Sequence, residues 1–120
     1  MKYIITENRI VKLIHQYLDT KNWKKIDLRR GGFILENLST EVIRYDVKES
    51  LTKPGLYFDE IYINDDFIFE IAEMFGFKSY DRMIIEAIID WFNQKYNKNL
   101  TFDNFNILLH DDEEYDDYED

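Results

Sequence analysis

Residues 79–96 carry an apolar arc too wide for an ordinary surface helix. Met83, Ile84, Ala87, Ile88, Trp91 and Phe92 fall on one helical face, and Ile85 and Ile89 widen it. A helix that is apolar over so much of its circumference must be covered on more than one side, so it is expected at the centre of the fold, packed on a sheet. Ser79 is its expected N-cap.

The rest of the chain supplies what such a helix needs. Ile10, Val11, Ile14, Tyr17 and Leu18 repeat at helical spacing over residues 6–20, and Leu13 broadens that stripe. Thr6 is the expected cap of this first helix, with Ile5 and Ile10 as a hydrophobic staple. Phe67, Ile68, Ile71, Met74 and Phe75 mark a second helix, capped by Asp65 or Asp66 and ended by Gly76.

Between the first two helices the period changes. Residues 23–28, 33–36, 42–48 and 57–63 read as strands. In the third, Ile43, Tyr45 and Val47 share one face while Arg44, Asp46 and Lys48 share the other. The inward face of the fourth is ambiguous, because Tyr57, Ile61 and Ile63 compete with Phe58 and Tyr62. Gly31-Gly32 is placed to supply the positive φ values of a tight turn, residues 37–40 a second turn, and residues 50–55, with the only proline, a longer loop. Short links between sequential strands imply an antiparallel meander. Residues 100–109 fit a last strand or an extended strap. The expected fold is α+β: an N-terminal helix, an antiparallel meander of three to four strands, and two C-terminal helices packed on the sheet. Residues 1–110 are expected to form one domain, since a chain of 120 residues suffices for a single core.

Charge divides the chain unevenly. The net charge is −10, yet residues 1–33 carry eight basic groups against three acidic ones, a net of +5. Residues 34–110 sum to −7, and the last ten to −8. That final run is Asp111, Asp112, Glu113, Glu114, Tyr115, Asp116, Asp117, Tyr118, Glu119 and Asp120. Like charges at this density cannot pack on one another, so the run is expected to be a mobile tail, either solubilising or able to dock on a basic surface. In the absence of a partner its expected neighbours are Lys21, Lys24, Lys25, Arg29 and Arg30. An acidic balance argues against direct nucleic-acid binding. Zero cysteines exclude a disulfide framework and thiolate metal sites. No apolar run approaches the roughly 20 residues of a membrane span, and MKYIITENR lacks a signal-peptide layout, so a soluble, intracellular protein is expected.

Candidate chemistry is sparse. No G-x-S-x-G, P-loop or G-x-G-x-x-G is present. His15 reads as a surface or boundary residue of the first helix, and His110 abuts the acidic run. Asp27, Glu36 and the Asp46-Val47-Lys48 triplet match the acid and acid-x-lysine pattern of Mg²⁺-dependent nucleases, in which carboxylates hold the metal and lysine steadies the attacking water. Chance alone gives about two acid-x-lysine matches in so charged a chain. Two occur, the other being Asp19-Thr20-Lys21. Asp59, Glu60, Asp65 and Asp66 cluster without the glycine and spacing of a calcium loop. The two C-terminal helices resemble a helix-turn-helix in spacing only, because Arg82 stands nearly alone among Asp81, Glu86 and Asp90. A possible basic patch remains: Lys21, Trp23, Lys24, Lys25, Arg29 and Arg30, where lysines flank a tryptophan able to stack on a base or to enter the core. No metal and no cofactor is expected.

The segments KYIITENRIVKLIHQYLDTKNW, INDDFIFEIAEMFG and AIIDWFNQKY resemble small acidic proteins of tailed bacteriophages that share a KYIITE-type start and a helix ending in WF. The resemblance implies a non-enzymatic phage protein acting in the host cytoplasm, including inhibitors of host defence of the anti-CRISPR or anti-restriction type. Its partner would be a protein with a basic surface, such as a nucleic-acid-binding host protein. A virion or assembly component, with homo-oligomer contacts, is the alternative. Here the acids gather in a tail, whereas the DNA mimics of that group spread them over a helical body.

Overall fold

The computed structural model describes residues 2–77 and 81–109, with side chains from Arg9 onward. The acidic run 111–120 with its two tyrosines, His110 and Ser79 lie outside the described residues. Helix α1 spans Lys2–Thr20, β1 Lys24–Asp27, β2 Phe33–Asn37, β3 Thr40–Glu49, β4 Tyr57–Asn64, α2 Asp65–Phe75, α3 Arg82–Tyr96 and β5 Phe105–Leu108. The fold is α+β, with the helices at the positions the periodicity predicts.

The strands lie in the order β1-β2-β3-β4-β5. The first three pairings are antiparallel, and β5 joins β4 in parallel, with Ile61 opposite Phe105 and Ile63 opposite Ile107. The four strands expected from the pattern do form an antiparallel meander, and residues 105–108, expected as part of a last strand or a strap, join it in parallel and make the sheet five-stranded and mixed. The reason is the long excursion through α2 and α3: a chain that crosses over through helices returns in the direction in which it left.

One face of this sheet is apolar. Phe33, Leu35, Ile43, Tyr45, Ile61 and Ile63 are buried on it, and Phe105 and Ile107 pack at its border. Helix α3 covers this face. The Phe92 ring stacks on Phe33 at 5.6 Å and meets Tyr45 at 5.8 Å. On its other side α3 receives α1. Ile14 and Leu18 are fully buried, and Trp91 Nε1 donates to Asp19 Oδ1 at 2.9 Å. The wide arc of α3 thus has sheet on one side and helix on the other. β4, ambiguous by pattern, turns Ile61 and Ile63 inward; of its first two aromatics Tyr57 lies on that side and Phe58, opposite Lys48, on the other, and both are exposed.

Several local expectations change. α1 is already helical from Lys2, so Thr6 lies inside it and is no cap; nothing before Thr6 is a glycine or proline that would stop the helix. Leu13 is exposed and does not join the buried stripe. The cap of α2 is Asn64, whose side chain accepts from the Asp66 and Phe67 amides at 2.8 and 3.3 Å. β4 runs into α2 without a loop, which leaves Asp65 and Asp66 in the first turn, where the helix dipole favours them. Asp81, the residue immediately before α3, is its cap in place of the expected Ser79, and its side chain accepts from the Met83 amide. Gly76 ends α2 at φ 78°, as predicted.

In the first turn only Gly31 of the glycine pair has positive φ, at 83°; Arg30 supplies the other, at 55°. Gly32 serves a different need. A Cβ there would sit 2.5 Å from the Tyr45 carbonyl oxygen, so only glycine lets the chain pass β3.

Candidate functional site

The second face of the sheet carries no helix among the described residues. Strand alternation lays Glu36, Arg44, Asp46, Lys48, Glu60, Tyr62 and Asn106 across it. Arg44 joins Glu41 at 3.4 Å and Asp46 at 3.3 Å. Lys48 Nζ donates to the Tyr62 hydroxyl at 2.8 Å and lies 2.9 Å from Glu60 Oε1, to which Tyr62 donates in turn. The hydrogen bond with Tyr62, then that with Glu60, holds the Lys48 ammonium above the ordinary lysine range. Burial pushes Glu60 up, but the bonds from Lys48 and Tyr62 outweigh it and hold the carboxyl below its usual range.

At one end of this face Glu36 stands directly opposite Glu41. Like charges facing across a ladder destabilise it. Burial raises Glu41 above the usual glutamate range, the nearby Asp46 and Glu36 add to this, and Arg44 only partly offsets it. β2, β4 and β5 all run toward that end, so Leu109, the last described residue before the acidic run, emerges on the same side of the fold as Glu36, Glu41 and the exposed Asp66.

The nuclease residues do not converge. Asp27 pairs with the inward-facing Phe33 and lies 3.5 Å from Lys25, whereas Glu36, Asp46 and Lys48 belong to the helix-free face. Among the described residues no group of three or more His, Cys, Asp or Glu side chains is placed to hold a metal ion. The Asp59–Asp66 cluster also divides: Asp59 accepts from Tyr45 on the inward face, Glu60 points outward, and Asp65 and Asp66 sit in α2. α3 buries Ile84, Ile85, Ala87, Ile88, Ile89, Trp91 and Phe92, and Arg82, the cation at its start, is paired with Glu86 at 2.9 Å. His15 Nε2 lies 3.0 Å from the Ala87 carbonyl oxygen, at the α1–α3 boundary.

The basic patch is dispersed. Trp23 is half-buried, donates to the Leu18 carbonyl at 2.9 Å and packs against Phe67 and Trp91, so its ring belongs to the core rather than to a stacking platform. Lys21 turns to Glu70 at 3.4 Å. Lys24 and Lys25 point to opposite faces of β1, and Arg29 and Arg30 occupy the turn at the far end of that strand.

A polar cleft of about 480 Å³ was not visible in the sequence. It opens beyond the end of α3, between Tyr45, Tyr57 and Asp59 of the sheet and Asn97, Lys98 and Asn104 of the following loop. Tyr45 donates to Asp59 at 2.8 Å; burial, then this bond, pushes its phenol up to about 12, so it remains a donor. Lys98 sits 4.8 Å from the centre of the Tyr45 ring. Three distant segments build the cleft, and none carries a local motif. No family model, no curated protein and no solved structure matches the chain.

Proposed function

We propose that this chain is a non-enzymatic phage interaction protein that engages a basic surface of a protein partner, as a host-defence inhibitor of the anti-CRISPR or anti-restriction type. The observation that carries the reading is the acidic run, eight acids in ten residues, leaving the fold at the end that already presents the facing pair Glu36 and Glu41. A run this acidic competes with phosphate for Lys and Arg side chains, so binding weakens steeply with salt. A basic neighbour would also relieve the repulsion between Glu36 and Glu41.

The test compares association of full-length and 1–110 protein with nucleic-acid-binding host proteins, at low and high ionic strength. Truncation should slow association at low salt and matter little at high salt, since exposed charges are screened over about 8–10 Å. Equal association rates at both would reduce the arm to a solubilising end. Incubation with DNA or RNA and Mg²⁺ or Mn²⁺ should give no cleavage; turnover abolished by Asp46→Ala would return the nuclease reading. A second reading, a virion or assembly component, is favoured by one feature, the outer edge of β5, with which no strand among the described residues pairs.

A further inference from the structure

The cleft beyond the end of α3 has a fixed backbone frame and polar side chains with nothing to bind. Asn93 ties the loop after the helix twice, donating to the Leu100 carbonyl and accepting from the Leu100 amide, each at 2.9 Å. Asn104 ties it again: its Oδ1 accepts from the Thr101 amide at 2.8 Å, and its Nδ2 donates to the Asp59 carbonyl at 3.1 Å. The Asp59 carboxylate is oriented by the Tyr45 hydroxyl at 2.8 Å. Asn97, Lys98 and Asn99 line the cleft, and their side chains make no hydrogen bond or ion pair among the described residues; Lys98 rests on the Tyr45 ring. Asn97 holds the left-handed C-cap position of α3 at φ 58°, where glycine is usual, and so keeps an amide at the cleft. A frame set before any ligand arrives reduces what binding must spend on ordering.

The groups present define what fits. Lys98 and Asp59 are the charged side chains of the lining, one of each sign, so a bare anion would face a carboxylate and a bare cation an ammonium. The amides of Asn97 and Asn99 each donate and accept, which matches hydroxyl groups, themselves donors and acceptors. Tyr57, on the helical side of the sheet, adds the flat apolar face of a half-exposed ring, and its hydroxyl has no hydrogen-bond partner among the described residues. At about 480 Å³ the cleft lies within the roughly 300–1,000 Å³ of small-molecule sites. We propose that it binds a neutral saccharide. Hydroxyl groups of the sugar bond to Asn97, Lys98, Asn99 and the Asp59 carboxylate, and the C–H face of one ring lies on Tyr57. The cleft sits at the start of β4, whereas Leu109 lies past that strand's other end, so the inference stands apart from the partner proposed for the acidic run.

The probes are the neutral disaccharides maltose, cellobiose, lactose and diacetylchitobiose, titrated into the isotope-labelled full chain and followed by backbone amide shifts. At least one should bind in the millimolar range or tighter and shift residues 57–59 and 97–100. Its binding should be nearly independent of ionic strength, since no net charge is exchanged. Asn97→Gly suits the left-handed backbone, so thermal unfolding should stay nearly unchanged while binding weakens roughly three- to tenfold. Asn99→Ala, at an exposed position, should act alike and serves as the second variant. Failure of every disaccharide to shift these residues at tens of millimolar overturns the proposal. So does binding indifferent to both substitutions. Stronger shifts at the same residues from inorganic phosphate, AMP or free glycine would mean a charged ligand and overturn it as well.

Discussion

Ile88 has sheet and helix around it and no exposure to solvent, so its side chain can be removed only by leaving a hole. Ile88→Ala should cost about 2–4 kcal/mol in urea unfolding. A loss below about 0.5 kcal/mol would mean the α3 site collapses around the deletion or is less enclosed than it looks. The helix-free face has a pH signature of two opposed signs. Glu60 is depressed in the fold, so the stability it contributes is present above the unfolded glutamate value, about 4.3, and is lost as pH falls through the lower folded one. Glu41 is raised, so its charge costs stability above the folded value, and that cost disappears as pH falls below the unfolded one. At neutral pH Glu41→Gln should therefore stabilise and Glu60→Gln destabilise. Both differences should vanish in acid, the second at lower pH. Both side chains are partly exposed, so the shifts will be modest. Denaturation midpoints across the acid range check the signs.

At the scale of elements, the β2–β3 hairpin carries a strain that its sequence does not advertise. Its two-residue turn holds Leu38 at φ 55° and Ser39 at φ 67°, the left-handed pair usually given to Asn-Gly. Leu38 is also almost fully exposed, so its side chain gains nothing in return. Replacing Leu38-Ser39 by Asn-Gly should raise stability by roughly 0.5–2 kcal/mol. Thermal melts of the two forms decide this; no gain would place the turn's stability elsewhere, in the ladder. The β3 bulge that follows, where Val42 is the extra residue between Glu41 and Ile43, lets both Val42 and Ile43 be buried. Strict alternation from sequence would have sent Val42 outward.

For the whole molecule, the charge map acquires direction once the strands are placed. Lys21 and Lys24 share the end of the sheet from which the acidic run departs, whereas Arg29 and Arg30 lie at the other end of β1. The five cations expected to screen the arm are therefore not one surface. Any docking of the arm on its own chain would be shared among isolated exposed pairs, each worth only a fraction of a kcal/mol. Deleting residues 111–120 should thus leave unfolding of the monomer nearly unchanged at physiological salt. A marked loss of stability would show that the arm is part of the fold.

What the sequence determined by itself was whatever depends on neighbours along the chain. The stripe of α1, the breadth of α3, the Gly76 stop and the alternation of Ile43, Tyr45 and Val47 are local patterns whose burial needs no knowledge of what covers them. The accumulation of acids in the last ten residues is equally plain. Tertiary structure decided whatever depends on strands meeting across distance. The parallel return of β5, the separation of Asp27 from Glu36 and Asp46, and the facing of Glu36 and Glu41 follow from register, and a shift of one residue would send each side chain to the other face. Trp23 shows the same division in one residue. Its flanking lysines fitted a stacking platform, but Phe67 and Trp91, far away in the chain, offered its ring a dry surface, and apolar contact outweighed the local pattern.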